Sequence, residues 1–419
     1  MRKELDGGGV ELEACPAAQS AVLMETESPF RVLVLGDFSG RASRGLCRTG
    51  EQLAELTPLL IEHASFDQVL ESVGPQLKLG PEIGLAFASL HDFHPDGLCR
   101  QAIFARLFSA RRALLEAILR SGQGSPEAWS TQLAEIEKTL GDLMRSVLHH
   151  PAFQALEATW RGLGFLVERL QPDRRIQIYL MDLSKEELAT DLSPAEPEQS
   201  VLYRAVAEPE RLGCGGQAWS VIAGDYAFQP SLEDGRLLGR LARLAARAGA
   251  PFVSEFAAEP MAPEAEQTWR ELRAMPEAAW VGLALPRFLL RLPYGERAEP
   301  VATFRFEEMS APPRHAEYLW GNPCYACVYL LGRTFERWGW RMQPGLITEI
   351  EDIPMHVYEE EGQLKIKPCA ELLLSETAIQ EALGMGLMPL LSVPGQGVVR
   401  LARFQSIADP PGPLAGPWD

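Results

Sequence analysis

The stretch LHHPAFQALEATWRGLGFLVERL, residues 148–170, begins with two histidines and a proline and continues with large apolar residues at helical spacing. Pro151 suits a first helical turn because it has no N–H and its φ is already fixed. Glu157 and Arg161, four residues apart, are expected to pair on the exposed side of this helix. The other side is predicted to be one buried stripe, whose members recur every three or four residues: Phe153, Leu156, Trp160, Leu163, Val167 and Leu170.

The two histidines before this helix could bind a metal or move protons, or they could only mark where the helix begins. Adjacent residues point in different directions, so His149 and His150 are poorly placed to share one ion. No cysteine or carboxylate beside them completes a ligand set. We therefore expect a structural or solvent-facing pair.

The composition of the whole chain is that of an ordinary globular protein with two or three domains. Its 419 residues are 46% apolar and 23% charged, and no apolar run approaches the roughly 18 residues that cross a bilayer. The N-terminus has no secretory signal, and seven scattered cysteines suit a reducing compartment, so we expect a bacterial cytoplasmic location. The net charge of −18 argues against nucleic-acid binding and fits protein partners.

Composition and periodicity also divide the chain. We predict a flexible acidic tail over residues 1–28, a linker over 121–129, and a Pro/Gly-rich tail over 410–419. The segment FRVLVLGD, residues 30–37, reads as a strand, and a helix is expected over about residues 51–61. Strands alternating with helices beyond residue 172 indicate an α/β, or mixed α+β, class with mixed sheets flanked by helices. These strands are predicted at 175–182, 218–225, 250–257 and 280–286.

Two charged segments are our candidates for contact surfaces. In the helix predicted after residue 231, a row of arginines lies beside a leucine stripe and could dock an acidic partner. We favour the alternative, a solvated face with some intramolecular ion pairs, because such rows are common on helices. The second candidate is the acidic segment 349–361. The candidate residues are Arg236, Arg240, Arg243, Arg247, Glu349, Glu351 and Asp352.

Three motifs suggest chemistry, but each has a simpler explanation. Cys324 and Cys327 have C-x-x-C spacing, yet no second pair exists and they fall in an apolar helix after Pro323, so we expect small buried side chains. The loop LGDFSGR, residues 35–41, lacks the ending of a phosphate-binding loop. In the cluster from His91 to Asp96, the aspartates are expected to accept backbone N–H groups. The sequence therefore predicts neither an enzyme nor a cofactor or metal.

Several short segments of the sequence resemble segments of a known family and occur in the same order. LHHPAFQALEATWRGLGFLVE, VIAGDYAF, GLALPRFLLRLPYG, EYLWGNPCYACVYLL, IPMHVY, IKPCAELLLSE and GLMPL resemble the large subunit (TssC/VipB-like) of the type VI secretion contractile sheath, over about residues 130–409. PFRVLVLGDFSGR, SFDQVL and LHDFHPDGL resemble the small subunit (TssB/VipA-like), over about residues 29–120. The chain thus resembles a fusion of the two sheath subunits.

This resemblance implies a structural role without enzymatic activity. In that family the two subunits form an interlocked α/β unit that polymerises around an inner tube, and contraction drives the tube outward. The implied partners are other sheath subunits, the inner tube, the baseplate or a recycling unfoldase, with self-assembly possible and without nucleic acid or membrane insertion.

Three departures from the family pattern affect the expected role. Residues 1–28 show no convincing alternating strand, the large-subunit pattern would continue beyond residue 419, and acidic PGLITEIED precedes IPMHVY in place of a glycine-rich turn. We therefore expect an accessory, capping or adaptor relative of the sheath first, and a self-sufficient fused sheath subunit second. A metal or thiol enzyme that uses Cys324 and Cys327 is the third alternative.

Overall fold

The computed structural model describes residues 28–81, 83–121, 126–193, 200–207, 218–257, 259 and 263–418. The predicted acidic tail, apart from Ser28, lies outside these residues. Part of the predicted linker, residues 122–125, lies outside them as well.

The described part of the chain alternates helices and strands, with the following bounds. The helices are α1 Glu51–Ala54, α2 Phe66–Val73, α3 Pro95–Leu98, α4 Ala102–Ser121, α5 Pro126–Leu148, α6 Pro151–Leu170, α7 Lys185–Asp191, α8 Val201–Ala207, α9 Leu232–Ala248, α10 Pro263–Arg273, α11 Pro323–Trp338 and α12 Glu376–Gly384. The strands are β1 Phe30–Gly36, β2 Leu59–Ile61, β3 Gln76–Lys78, β4 Gly84–Ala86, β5 Ile176–Asp182, β6 Val221–Phe228, β7 Phe252–Phe256, β8 Val281–Leu285, β9 Phe288–Leu289, β10 Trp320–Gly321, β11 Glu349–Ile350, β12 Val357–Glu360, β13 Gln363–Ile366, β14 Met388–Ser392 and β15 Val399–Leu401.

One large mixed sheet organises the described residues. Its strand order is β11-β15-β14-β8-β7-β6-β1-β5-β2. The strands from β14 to β5 are parallel to their neighbours, whereas β2, β15 and β11 pair antiparallel at the two ends. Helices cover both faces, as parallel strands require. The predicted α/β class with a mixed sheet flanked by helices is confirmed.

Strand β1 is an interior strand of this sheet, third from the β2 end, and is buried on both faces. Its side chains alternate: Val32 and Val34 join the core that contains α6 and α11, while Leu33 and Leu35 join the core that contains α9. It pairs with β5 on one side and with β6 on the other. The region resembling the small subunit therefore supplies an interior strand to the sheet of the other region.

Helix α6 follows the prediction for residues 148–170. His150 is its N-cap and accepts the N–H of Ala152 at 3.2 Å. Trp160 donates its indole N–H to the Phe38 carbonyl, 2.8 Å away, which fastens the helix to the loop after β1. Every residue of the predicted stripe is buried: Phe153, Leu156, Trp160, Leu163, Val167 and Leu170.

The exposed position predicted for the Glu157–Arg161 pair is wrong. The pair itself forms, with 2.7 Å between Arg161 Nε and Glu157 Oε1. Glu157 is nevertheless fully buried, because Arg291 from the loop after β9 covers it and bonds the same oxygen.

The predicted linker and the predicted C-terminal tail both contain ordered structure. Residues 126–129, inside the predicted linker, begin α5. In the predicted C-terminal tail, Leu414 is buried and Ala415 donates its N–H to the Ala279 carbonyl. The division into two regions stays a prediction. Among the described helices, none is both long and apolar enough to cross a bilayer.

Candidate assembly surfaces

A buried group of charged side chains joins α6 to the loop between β9 and β10. Arg291 lies between two fully buried carboxylates: its Nε is 2.9 Å from Glu157 Oε1 and its Nη1 is 2.8 Å from Glu308 Oε2. The Tyr294 N–H also donates to Glu308, at 2.7 Å. Burial alone would raise the pKa of Glu308, but Arg291 beside it lowers the value to about 2. We call Glu157, Arg161, Arg291 and Glu308 the buried charge network.

The two histidines at the start of α6 have separate structural positions. His150 caps the helix, as described above, and His149 Nε2 lies 3.7 Å from Glu308 Oε1 at the margin of the buried charge network.

The aspartates of the cluster from His91 to Asp96 bind backbone N–H groups, as predicted. Asp92 accepts those of Ala88 and Ser89, and Asp96 accepts that of Thr303 at 2.8 Å. Asp96 therefore fastens α3 to the loop between β9 and β10.

The C-x-x-C cysteines lie inside α11, as predicted. Cys324 and Cys327 are both fully buried. Burial raises the pKa of Cys327 to about 12 and that of Cys324 well above its usual value, so their thiolates are strongly disfavoured. Within the described residues, histidine, cysteine and acidic side chains form no cluster of three or more that could hold a metal ion.

A cavity of about 620 Å³ opens at the carboxyl ends of β1 and β6. Asp37, just after β1, and Asp225, within β6, line this cavity, and Lys185 in its wall is 2.8 Å from Asp234. Asp37 accepts the N–H groups of Arg41 and Ala42 and so closes the turn after β1. Burial raises the pKa of Asp225 to about 6. The carboxylates that line this cavity hold turns and neighbouring elements in place.

The predicted arginine row forms one face of α9, which we call the arginine stripe. Arg236, Arg243 and Arg247 are exposed and Arg240 is half-buried. None of the four has an ion pair with any residue that the structure describes. The opposite face of α9 packs Leu237, Leu241 and Leu244 against the sheet, so the helix is anchored while its charged side stays accessible.

The acidic candidates lie elsewhere, at the end of the sheet that β11 forms. Glu349 is paired with Arg400 of the neighbouring strand, with 2.5 Å between Oε1 and Nη2. Glu351 and Asp352 are exposed, and their carbonyls accept hydrogen bonds from Arg169, each at 2.7 Å. The structure therefore places the two predicted surfaces on separate elements and does not bring them into one site.

A third surface is the hairpin of β12 and β13, which overlaps the predicted acidic segment 349–361 in β12 and the turn but whose apolar face was not predicted. Val357, Leu364 and Ile366 are 47%, 76% and 45% exposed. The register pairs Val357 with Ile366 and Glu359 with Leu364, so these four side chains share one face. The sequence VYEEEGQLKIK, residues 357–367, contains the signal for this hairpin. Apolar and polar residues alternate on both sides of Glu361 and Gly362, whose φ angles of 54° and 75° form the turn.

Family models match most of the chain. The model of VipB, described as a tail sheath N-terminal domain, matches residues 130–265 and 257–408. The model of VipA of the type VI secretion system matches residues 16–145. The two matches overlap within α5.

Two known proteins are compared with this chain, one by sequence and one by structure. The type VI secretion system sheath protein TssC1 of Pseudomonas aeruginosa is 28% identical over 352 residues, which are 77% of this chain and 71% of that protein. The helical sheath of the anti-feeding prophage in its contracted state, solved by cryo-EM, aligns with a TM-score of 0.34 and 13% identity. That alignment covers 99% of this chain and 72% of the other.

Proposed function

We propose that this chain is a single-chain sheath protomer. It belongs to the VipB family of type VI secretion sheath proteins, and a region that matches VipA precedes the VipB region. At the coarser level it is a sheath-like structural component of the type VI secretion machinery, and its family is structural. The finer proposal is that both subunit-like regions enter a sheath lattice as one covalent unit.

The interlocking of the two regions carries this proposal. All seven residues of β1 have partners in β5, from Phe30 opposite Ile176 to Gly36 opposite Asp182. Four of them also have partners in β6. Removing β1 would expose apolar side chains on both faces and leave two central strands with open edges. A close-packed interior transmits strain, as a protomer in a contracting lattice must.

The proposed partners are other sheath subunits and further copies of this chain. The inner tube, the baseplate and a recycling unfoldase are further candidates that the family suggests. The arginine stripe and the acidic segment with Glu349, Glu351 and Asp352 are the proposed contact surfaces, because the stripe has no ion pair among the described residues and both are accessible.

Light scattering after size exclusion, with negative-stain microscopy of the same fractions, tests the proposal. Tubes or long helical arrays are expected from the purified chain. A folded monomer or small closed ring at every concentration would overturn the proposal. That result would assign the chain the accessory, capping or adaptor role that the sequence ranks first.

A further inference from the structure

The hairpin of β12 and β13 exposes an apolar face of the kind that binds a partner. A two-stranded hairpin is only marginally stable in water by itself, and a contiguous exposed aliphatic face commonly marks an interaction site. Every residue of β13 is exposed, with Leu364 at 76%. The face of Val357, Leu364 and Ile366 is therefore available for docking.

The charges around this face define what its partner must offer. Glu359 lies on the face itself and Glu361 lies in the turn, and neither has an ion pair with any described residue. Glu360, on the other face, differs because Lys365 pairs with it. Two hairpins packed through this face would bring like charges together. The fitting partner combines apolar surface with cations.

The arginine stripe has both properties. Its residues, from Arg236 to Arg247, span about 17 Å of helix at 1.5 Å per residue, against about 13 Å for a four-residue strand. Arginine stems are aliphatic and can pack against leucine and isoleucine while the guanidinium groups stay free to pair. Three of the four arginines are exposed, so their stems are accessible to the aliphatic side chains of a second copy.

We propose that the hairpin of one copy docks on the arginine stripe of a second copy, with Glu359 and Glu361 pairing with Arg240 and Arg243. This inference rests on the proposed function, since it names a contact of the lattice. Within one chain the two surfaces are separated: α9 packs on one face of the sheet, whereas Met355, just before the hairpin, packs in the core on the opposite face. A contact between two different surfaces is heterologous, and it propagates into a helical array when its rotation does not close a ring.

Charge reversal of the full-length chain tests this contact. Variant one carries Arg240→Glu and Arg243→Glu, and variant two carries Glu359→Arg and Glu361→Arg. Each alone sets like charges against each other, so we expect the sedimenting assembled fraction to fall at least tenfold. An equimolar mixture restores opposite charges at every contact and should recover assembly. The four-residue variant in one chain should recover it too.

The matched control for variant one is Arg106→Glu with Arg403→Glu, which changes the net charge by the same amount and in the same direction at two exposed arginines outside both surfaces. It should assemble like the unaltered chain, and circular dichroism should report the same folding for every variant. If the unaltered chain assembles and variant one or two does so equally, or if the mixture stays dispersed, this contact is overturned while the proposed function stands. An unaltered chain that never assembles overturns both.

Discussion

Arg291 is the residue whose removal should weaken the fold most directly, because its side chain lies between two buried carboxylates. Arg291→Met keeps the apolar stem and removes the charge, which leaves Glu157 and Glu308 close together with one cation fewer. Breaking a buried ion pair on one side costs about 3–5 kcal/mol. We expect a loss of that size in the free energy of unfolding, measured by urea denaturation.

An exposed ion pair provides the control for this measurement. Arg112 pairs with Glu116 at 3.0 Å on α4, but its side chain is 83% exposed. Arg112→Met should therefore change the free energy of unfolding by no more than about 0.5 kcal/mol. Equal losses for both variants would mean that burial does not set the strength of the network.

The same residues show what local spacing predicts. The four-residue interval predicts that Glu157 and Arg161 pair, and they do. It cannot predict that Glu157 is buried, because Arg291 is 134 residues away along the chain. An isolated helical segment gives no sign of a partner that tertiary folding supplies.

At the scale of elements, the contact between α6 and α11 depends on a glycine. A Cβ at Gly162 would overlap the ring of Tyr325, which is buried and whose hydroxyl donates to the Thr159 carbonyl at 3.1 Å. Overpacking of this kind costs about 1–3 kcal/mol. Gly162→Ala should therefore lower the midpoint of thermal unfolding, measured by circular dichroism.

Gly164 on the same helix is the matched control. A Cβ there would lie 3.6 Å from the nearest atom, a Leu90 methyl carbon, which is ordinary contact. Alanine is favoured over glycine inside a helix by about 0.5–1 kcal/mol, so Gly164→Ala should stabilise the protein. If both substitutions raise the unfolding midpoint, the close approach of the two helices is not tight at Gly162.

Individual elements differ in how far the sequence predicts them. The stripe of α6 and the run of β1 are strongly periodic or continuously apolar, and both were predicted. The helix expected over residues 51–61 is wrong: α1 ends at Ala54 and Leu59–Ile61 form β2. Pro58 disfavours helical geometry at the residue before it and cannot donate a helical hydrogen bond, and pairing with β5 then decides the strand.

At the scale of the whole molecule, the order of strands follows from contacts that no sequence pattern encodes. The pairing of Phe30 with Ile176 joins residues that are far apart along the chain, and the resemblance to sheath subunits, not periodicity, suggested such an interlocked unit. The arginine stripe was predicted as a row of residues. That these arginines have no ion pair with any described residue is visible only once the fold is known.

This interlocking predicts how the two regions respond to separation. A protease site inserted between residues 121 and 126, cut after folding, should leave both pieces in one complex, since β1 is held by β5 and β6. The pieces should co-elute on size exclusion and unfold together, as the uncut protein does. Residues 126–419 produced alone should aggregate, because β5 and β6 would each have an open edge and unpaired apolar faces. If that piece instead stays monomeric with its own cooperative unfolding, the two regions are independent domains and the chain is not a single interlocked protomer.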